Sequence, residues 1–274
     1  MYKIKEYRFN SFKLVADMHK SNYAMLENNT DLGIKNLGIK YCPHLSFENE
    51  FYVLQQLDHK HIPKAYDYGQ ETMFKDEKVV LKQYFIVLDH MSNIDFVGYF
   101  KEKTLTRSID QLENFIKCFI DVCDPLDYLH SKNYIHCDIK PGHLMLDPDT
   151  CTVYLIDYEL AIKKAGLLKG ISTDYASPEQ EILLKDLRNL PKDVPPEVIA
   201  SSIALDGRVD IYSLGAVIYE ILTNKKWKET KIPPRNINNL IPQKLEEIIM
   251  ATLEEDPSNR VATAKQLKQT LETV

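Results

Sequence analysis

Tyr134-Ile135-His136-Cys137-Asp138-Ile139-Lys140-Pro141-Gly142-His143-Leu144-Met145-Leu146, followed shortly by Leu155-Ile156-Asp157-Tyr158-Glu159-Leu160-Ala161, sets the terms on which the rest of the chain is read. The stretch carries two aspartates, Asp138 and Asp157, in order along the chain. Taken singly, either aspartate reads as a turn or cap residue, and a lone Asp-x-Lys means little. The ordered pair is what carries information.

Around this run lies a chain of 274 residues that is 44% hydrophobic, enough to bury one large core or two smaller ones. With 34 Lys and Arg against 40 Asp and Glu, the formal charge of -6 provides no basic field for nucleic acid or an anionic membrane, so neither is expected as a partner. The cysteines, Cys42, Cys118, Cys123, Cys137 and Cys151, are odd in number and lack C-x-x-C pairing. They read as reduced thiols of a cytoplasmic protein rather than as zinc or redox sites. The start, MYKIKEYRFN, has no apolar signal region, and no apolar run approaches the roughly 18 residues of a membrane span.

Up to about residue 90, short β-like runs (Phe12 to Ala16, Tyr23 to Leu26, Leu37 to Tyr41, Tyr84 to Leu88) surround one helical segment, Ser46 to Leu57. From about residue 108 the period changes: Leu112, Phe115, Ile116, Phe119, Val122, Leu126 and Leu129 recur at helical spacing. Pro125 falls inside that period, where it is expected to kink the helix or shift its register. Glu181 to Leu190 is helix-like and is followed by Pro191, Pro195 and Pro196, which reads as an insertion around 181–205.

The two aspartate loops resemble the catalytic and metal loops of protein kinases, in which one aspartate accepts or orients the attacking hydroxyl and the other holds a divalent metal against the phosphates. Ser177-Pro178-Glu179, Asp210-Ile-Tyr-Ser-Leu-Gly215 and Asp256-Pro-Ser-Asn-Arg260 follow in the family's order, so the resemblance covers nearly the whole chain. Glu179 and Arg260 are then expected as a buried ion pair. The fold implied is α+β and two-lobed: a small antiparallel β-sheet lobe with one helix at 1–88, a hinge at 89–95, and a larger helical lobe at 96–274, all one domain of 1–274. Lys140, two residues after Asp138, resembles the serine/threonine rather than the tyrosine branch.

In the small lobe, Leu37-Gly-Ile-Lys40 resembles the strand bearing the lysine that bridges the ATP phosphates, and Phe47-Glu-Asn-Glu50 the helix bearing its glutamate partner. Lys35 is a rival to Lys40. Leu88 would stand as gatekeeper, Asp89, His90 and Met91 would read adenine, and Asp95 would reach the ribose. The stretch Asp17 to Tyr23, where the family carries a glycine-rich turn, contains no glycine, and Lys20 and Ser21 are its candidate phosphate contacts.

Other departures follow. His143 replaces the metal-binding asparagine, Glu159 the glycine that ends the metal motif, and Cys137 the arginine before the catalytic aspartate. Imidazole suits Mn²⁺ better than Mg²⁺, so activity is expected to favour Mn²⁺ and to fall as imidazole protonates near its unperturbed pKa of about 6.5. Glu159 either supplies an extra carboxylate ligand or repels the phosphates. Ser172 and Thr173 are candidates for a hydroxyl bonded to Asp138 and Lys140. The resemblance therefore implies an ATP-dependent serine/threonine protein kinase with Asp138 as base, Lys140 as charge stabiliser, Asp157, His143 and Glu159 as metal candidates, and a protein substrate. The alternative is a pseudokinase that binds nucleotide or scaffolds a partner; a small-molecule kinase is disfavoured by the Pro-Glu and Asp210 motifs.

Overall fold

The structure is a computed structural model and describes residues 2–5, 7–9, 22–26, 37–90, 94–96, 99–100, 109–147, 149–164, 166–191, 195 and 204–274. The expected strand Phe12 to Ala16, together with Lys20, Ser21, Lys35 and Met91, lies outside them. The chain divides into two compact units, Met1–Ser92 and Asn93–Val274.

The first unit is an antiparallel sheet with strand order β2-β1-β5-β6-β4-β3. Its strands are β1 (Tyr2–Ile4), β2 (Tyr7–Phe9), β3 (Asn22–Met25), β4 (Leu37–Cys42), β5 (Ala65–Lys75) and β6 (Lys78–Asp89), and it carries helix α1 (Glu48–Leu54). Alternation assigns the two faces. Ala24, Leu37, Ile39, Tyr41, Phe85 and Val87 join Ile4, Tyr7 and Met73 in one apolar cluster. Tyr23, Gly38, Lys40, Ile86 and Leu88 therefore face the other way. Every residue of β4 is buried, so this strand is covered on both sides.

The second unit is mainly helical. Its first long helix, α2 (Ile109–Ser131), holds Pro125 within a continuous span and buries Phe115, Phe119, Val122, Leu126 and Leu129, the residues whose spacing announced it. Phe96, Phe100, Phe115 and Phe119 meet edge to face with centroids 4.7–5.2 Å apart. The short strand β7 (Ile94–Asp95) precedes this helix and β8 (Tyr134–Ile135), β9 (Leu144–Asp147), β10 (Thr152–Leu155) and β11 (Ile162–Lys163) follow it, in sheets β10-β9-β7 and β11-β8.

Helix α3 (Pro178–Arg188) begins at the Ser-Pro-Glu motif and α4 (Arg208–Thr223) at the Asp210 motif; α5 (Trp227–Thr230), α6 (Gln243–Thr252) and α7 (Ala264–Leu271) complete the unit. Residues Val209 to Thr223 of α4 are all buried, the mark of a helix surrounded by protein. Gly215 in α4 admits α6, since a Cβ there would lie 1.9 Å from the Thr252 hydroxyl oxygen. Leu183 in α3 is fully buried and shares a cluster with Ile135, Cys137, Leu205 and Val209. The first turns of the stretch 181–205 thus belong to the core, because the apolar face of α3 closes over the loop that carries Cys137. No helix among the described residues is long and apolar enough to cross a membrane.

Candidate active site

In the first unit, Lys40 Nζ lies 2.9 Å from Glu50 Oε2, with Lys40 7% and Glu50 1% exposed. β4 supplies the lysine and α1 the glutamate, and the ammonium sits 5.2 Å from the ring centroid of Phe47 just before the helix. Removing either partner would take the closest counter-charge from a buried charged group. Asp89 differs from a bare linker residue: its carboxylate accepts bonds from the Lys64 amide (2.9 Å) and the Tyr66 hydroxyl (2.7 Å), tying the end of β6 to the start of β5. Leu88 is buried at the end of β6. Asp95 lies in β7, paired with Met145.

In the second unit, Asp210 organises the loop after β8. Its fully buried carboxylate accepts the amides of His136 (2.9 Å) and Cys137 (2.8 Å) and contacts His130 Nε2 at 2.8 Å. These bonds hold Cys137 at φ 65, a left-handed conformation that costs an ordinary residue about 1–2 kcal/mol. Gln180 adds a bond from Nε2 to the Cys137 carbonyl at 2.9 Å, while its Oε1 accepts the Ser177 amide at 3.0 Å and so closes a capping box. Sequence reasoning passed over Gln180, although a Gln three residues after Ser177 is a capping-box signal.

The loop delivers Asp138, which is 6% exposed. Lys140 Nζ donates to Asp138 Oδ2 at 2.8 Å and to the Ser172 hydroxyl at 3.1 Å. Of the two candidate hydroxyls, that of Ser172 meets Lys140, while the backbone carbonyl of Thr173 accepts a bond from Lys228. Asp138 Oδ1 is buried and has no hydrogen-bond partner among the described residues.

His143 closes the 3₁₀ turn Pro141–His143, and its Nδ1 lies 2.8 Å from the Asp138 carbonyl. A carbonyl only accepts, so Nδ1 carries the proton and Nε2 presents a lone pair. That nitrogen lies 3.4 Å from Asp157 Oδ2. Burial, with a smaller push from Lys140 and His136, outweighs the pull of Asp157 and Asp138 and lowers the His143 pKa to about 4. The expected loss near pH 6.5 is therefore corrected: the desolvated imidazole stays neutral well below that pH.

Asp157 takes φ 67 in the turn after β10, a second left-handed non-glycine residue beside the first loop. Among the described residues no group of three or more His, Cys, Asp or Glu is arranged to hold a metal ion. Glu179 and Arg260 form the expected pair, bidentate at 2.7 and 3.2 Å, with Arg260 also bonding the carbonyls of Arg208 and Glu254 and facing the Tyr212 ring.

A loop whose amides are drawn onto a buried aspartate, and whose own aspartate is held by a lysine two residues on, defines the protein-kinase class of fold. The chain belongs to the protein kinase domain family, which matches residues 33–271. It is similar to a probable serine/threonine-protein kinase of Clostridium perfringens, 29% identical over 211 residues covering 69% of this chain and 27% of that protein. Serine/threonine-protein kinase PknB of Mycobacterium tuberculosis is 25% identical over 251 residues, covering 83% of this chain and 35% of PknB. The chain spans roughly a third of these relatives' length.

Among solved structures, the kinase domain of Mycobacterium tuberculosis PknI matches with TM-score 0.67 and 16% identity, over 99% of this chain and 96% of that one. The kinase of Cydia pomonella granulovirus matches with TM-score 0.63 and 18% identity, over 97% and 92%.

Proposed function

We propose that the chain is an ATP-dependent serine/threonine protein kinase, which transfers the γ-phosphoryl group to a hydroxyl of a protein substrate with Mg²⁺ or Mn²⁺ as cofactor. The observation that carries this reading is the divided carboxylate of Asp138. Lys140 holds Oδ2, while Oδ1 is buried without a partner. An unpartnered buried oxygen costs about 1–3 kcal/mol, a cost recovered when a substrate hydroxyl donates to it. Asp138 then orients that hydroxyl and accepts its proton, and Lys140, steadied by Ser172, neutralises charge on the phosphoryl group in transfer.

Lys40, held by Glu50, takes the ATP phosphates. The donor set fits a divalent cation, because His143 Nε2 and Asp157 Oδ2 are two acceptors facing each other at 3.4 Å, and a cation relieves that opposition. Such an ion would supply charge neutralisation to the phosphates of the nucleotide. The nitrogen ligand favours Mn²⁺, whereas the carboxylate serves either ion.

The test is phosphorylation of a protein substrate, or of the chain itself, by wild type and Asp138→Asn with Mg²⁺ and Mn²⁺ in parallel. Asp138→Asn is expected to abolish transfer and to leave ATP affinity within about twofold, since the carboxylate acts on the hydroxyl and not on the nucleotide. Equal activity in the two proteins overturns the assignment. A wild type that binds ATP and transfers nothing favours the scaffolding alternative.

A further inference from the structure

The cysteines share no spacing in the sequence, yet the fold brings two of them together. Cys118 lies in α2 and Cys151 in the turn between β9 and β10. Strand β10 is the outer strand of its sheet and packs against α2, where Asp121 Oδ2 accepts the Val153 amide at 2.7 Å. Cys118 stands one helical turn before Asp121, on the same face of α2. Cys151 stands two residues before Val153. The two thiols are hydrogen-bonded to each other.

The turn that presents Cys151 is pinned by its own side chains. Asp147 Oδ1 accepts the amides of Asp149 (3.0 Å) and Thr150 (3.4 Å), and the Thr150 hydroxyl donates to that of Thr152 at 2.9 Å across Cys151. Cys151 takes φ 55 there, a left-handed conformation in which glycine or asparagine is usual. Cys118 is fully buried, whereas Cys151 is half-buried and open to solvent. Burial, then the nearness of Cys151 and Asp121, pushes the Cys118 thiol up, so it keeps its proton. Cys42, Cys123 and Cys137 are all buried, and burial pushes the last two up as well. Cys151 is thus the cysteine most open to a soluble oxidant, and it has a second thiol behind it.

We propose that Cys118 and Cys151 are a peroxide-responsive dithiol whose disulfide fastens the β9–β10 hairpin to α2. The Cys151 thiolate attacks one oxygen of hydrogen peroxide, the O–O bond breaks, and Cys151 becomes a sulfenic acid as hydroxide leaves and takes up the Cys151 proton. The Cys118 sulfur then displaces the sulfenic hydroxyl, which leaves as water with the Cys118 proton as the S–S bond forms. Two thiols are oxidised by two electrons, one peroxide is reduced, and two waters are released. The closed ring, residues 118–151, encloses Asp138, Lys140 and His143. The hairpin runs from His143 to Asp157, and its base is joined by the bond from the Ile156 amide to the His143 carbonyl at 3.0 Å. Fastening its tip therefore restrains the segment that spaces those two residues. The chemistry needs no nucleotide.

Treatment of the purified full chain with hydrogen peroxide, followed by thiol titration in denaturant and mass spectrometry of non-reduced peptides, tests this. Wild type is expected to lose two of its five thiols, to yield one peptide pair linked through Cys118 and Cys151, and to recover all five with dithiothreitol. Oxidation is expected to raise Tm by roughly 5 °C, because the closed loop constrains the unfolded chain, and to slow amide hydrogen exchange across residues 144–155. Cys151→Ser is expected to lose no thiol, and in Cys118→Ala dimedone is expected to trap Cys151 as the sulfenic acid. No thiol loss in wild type, a link between any other pair, a disulfide between two chains, or Cys151 driven to sulfinic acid beside a free Cys118 overturns the dithiol. These outcomes are read on wild type alone, so they hold even where a variant fails to fold. A linked pair with unchanged exchange across residues 144–155 overturns the fastening of the hairpin.

Discussion

His143 shows how burial decides the chemistry of a single side chain. Nδ1–H is committed to the Asp138 carbonyl and Nε2 looks at Asp157, while enclosure holds the pKa at about 4. In the unfolded chain the same imidazole titrates near about 6.5. Between these values the unfolded state binds the extra proton, so the contribution of this residue to stability is complete above about pH 6.5 and is lost as pH falls toward 4. In metal-free protein the loss is on the order of 3 kcal/mol across that window. His143→Asn is expected to flatten the slope of urea-unfolding stability against pH between 6.5 and 4; an identical slope in both proteins would show that other groups carry it. The sequence indicated this residue through its place in the motif, as it did Asp138, Lys140 and Asp157, because all lie on two short loops with fixed spacing. It gave no sign that Lys140 holds Asp138 Oδ2 while Oδ1 is buried without a partner, since that follows from packing around the loop and not from spacing. Nor did it show that Cys118 meets Cys151, because that follows from the packing of α2 against β10.

Among the elements, helix α2 was legible because its apolar period is long and burial follows it, whereas α4, buried on every side, was reached only through the Asp210 motif. The β5–β6 hairpin was not. Asp76 and Glu77 turn it with φ 46 and 66, a two-residue turn of the kind usually signalled by Asn-Gly, so the local chemistry hid it. β5 itself mixes Asp67, Gly69, Gln70 and Glu71 into its length and is ordered by β1 and β6 on either side, with β1 and β2 similarly recruited by pairing. What ties elements together can be tested at Glu179 and Arg260, which link the first turn of α3 to the start of α4 and the loop after α6. The Arg260 side chain has no exposed surface, so Glu179→Ala strands a buried guanidinium and is expected to cost about 3–5 kcal/mol by urea unfolding. The double variant Glu179→Ala with Arg260→Leu should recover a substantial part, because the charge goes with its partner. A single-variant loss below about 1 kcal/mol would show that the carbonyls of Arg208 and Glu254 alone satisfy the arginine.

At the scale of the whole molecule, the proposed nucleotide and metal are expected to bind as one ligand. The described residues hold no three-ligand cluster of His, Cys, Asp or Glu, so a divalent ion alone has too few protein donors for tight binding. ATP alone brings phosphates toward Asp157 and Asp138 in a chain of formal charge -6, and only Lys40 and Lys140 among the proposed contacts oppose that repulsion. Together, Asp157 would hold the ion and the ion would offset the charge of the phosphates, so each would lower the cost of the other. A ligand at about 100 times its Kd stabilises the native state by about 2.7 kcal/mol, which for a chain of this size raises Tm by roughly 5 °C or more. Thermal unfolding with ATP alone, Mn²⁺ alone and both is expected to show that shift only for the pair, with EDTA abolishing it. Asp157→Asn should lose the cooperative part, whereas Asp138→Asn should keep it, since Asp138 is assigned to the hydroxyl. Equal shifts from ATP with and without the ion would detach the metal from nucleotide binding and remove Asp157 from its assigned role.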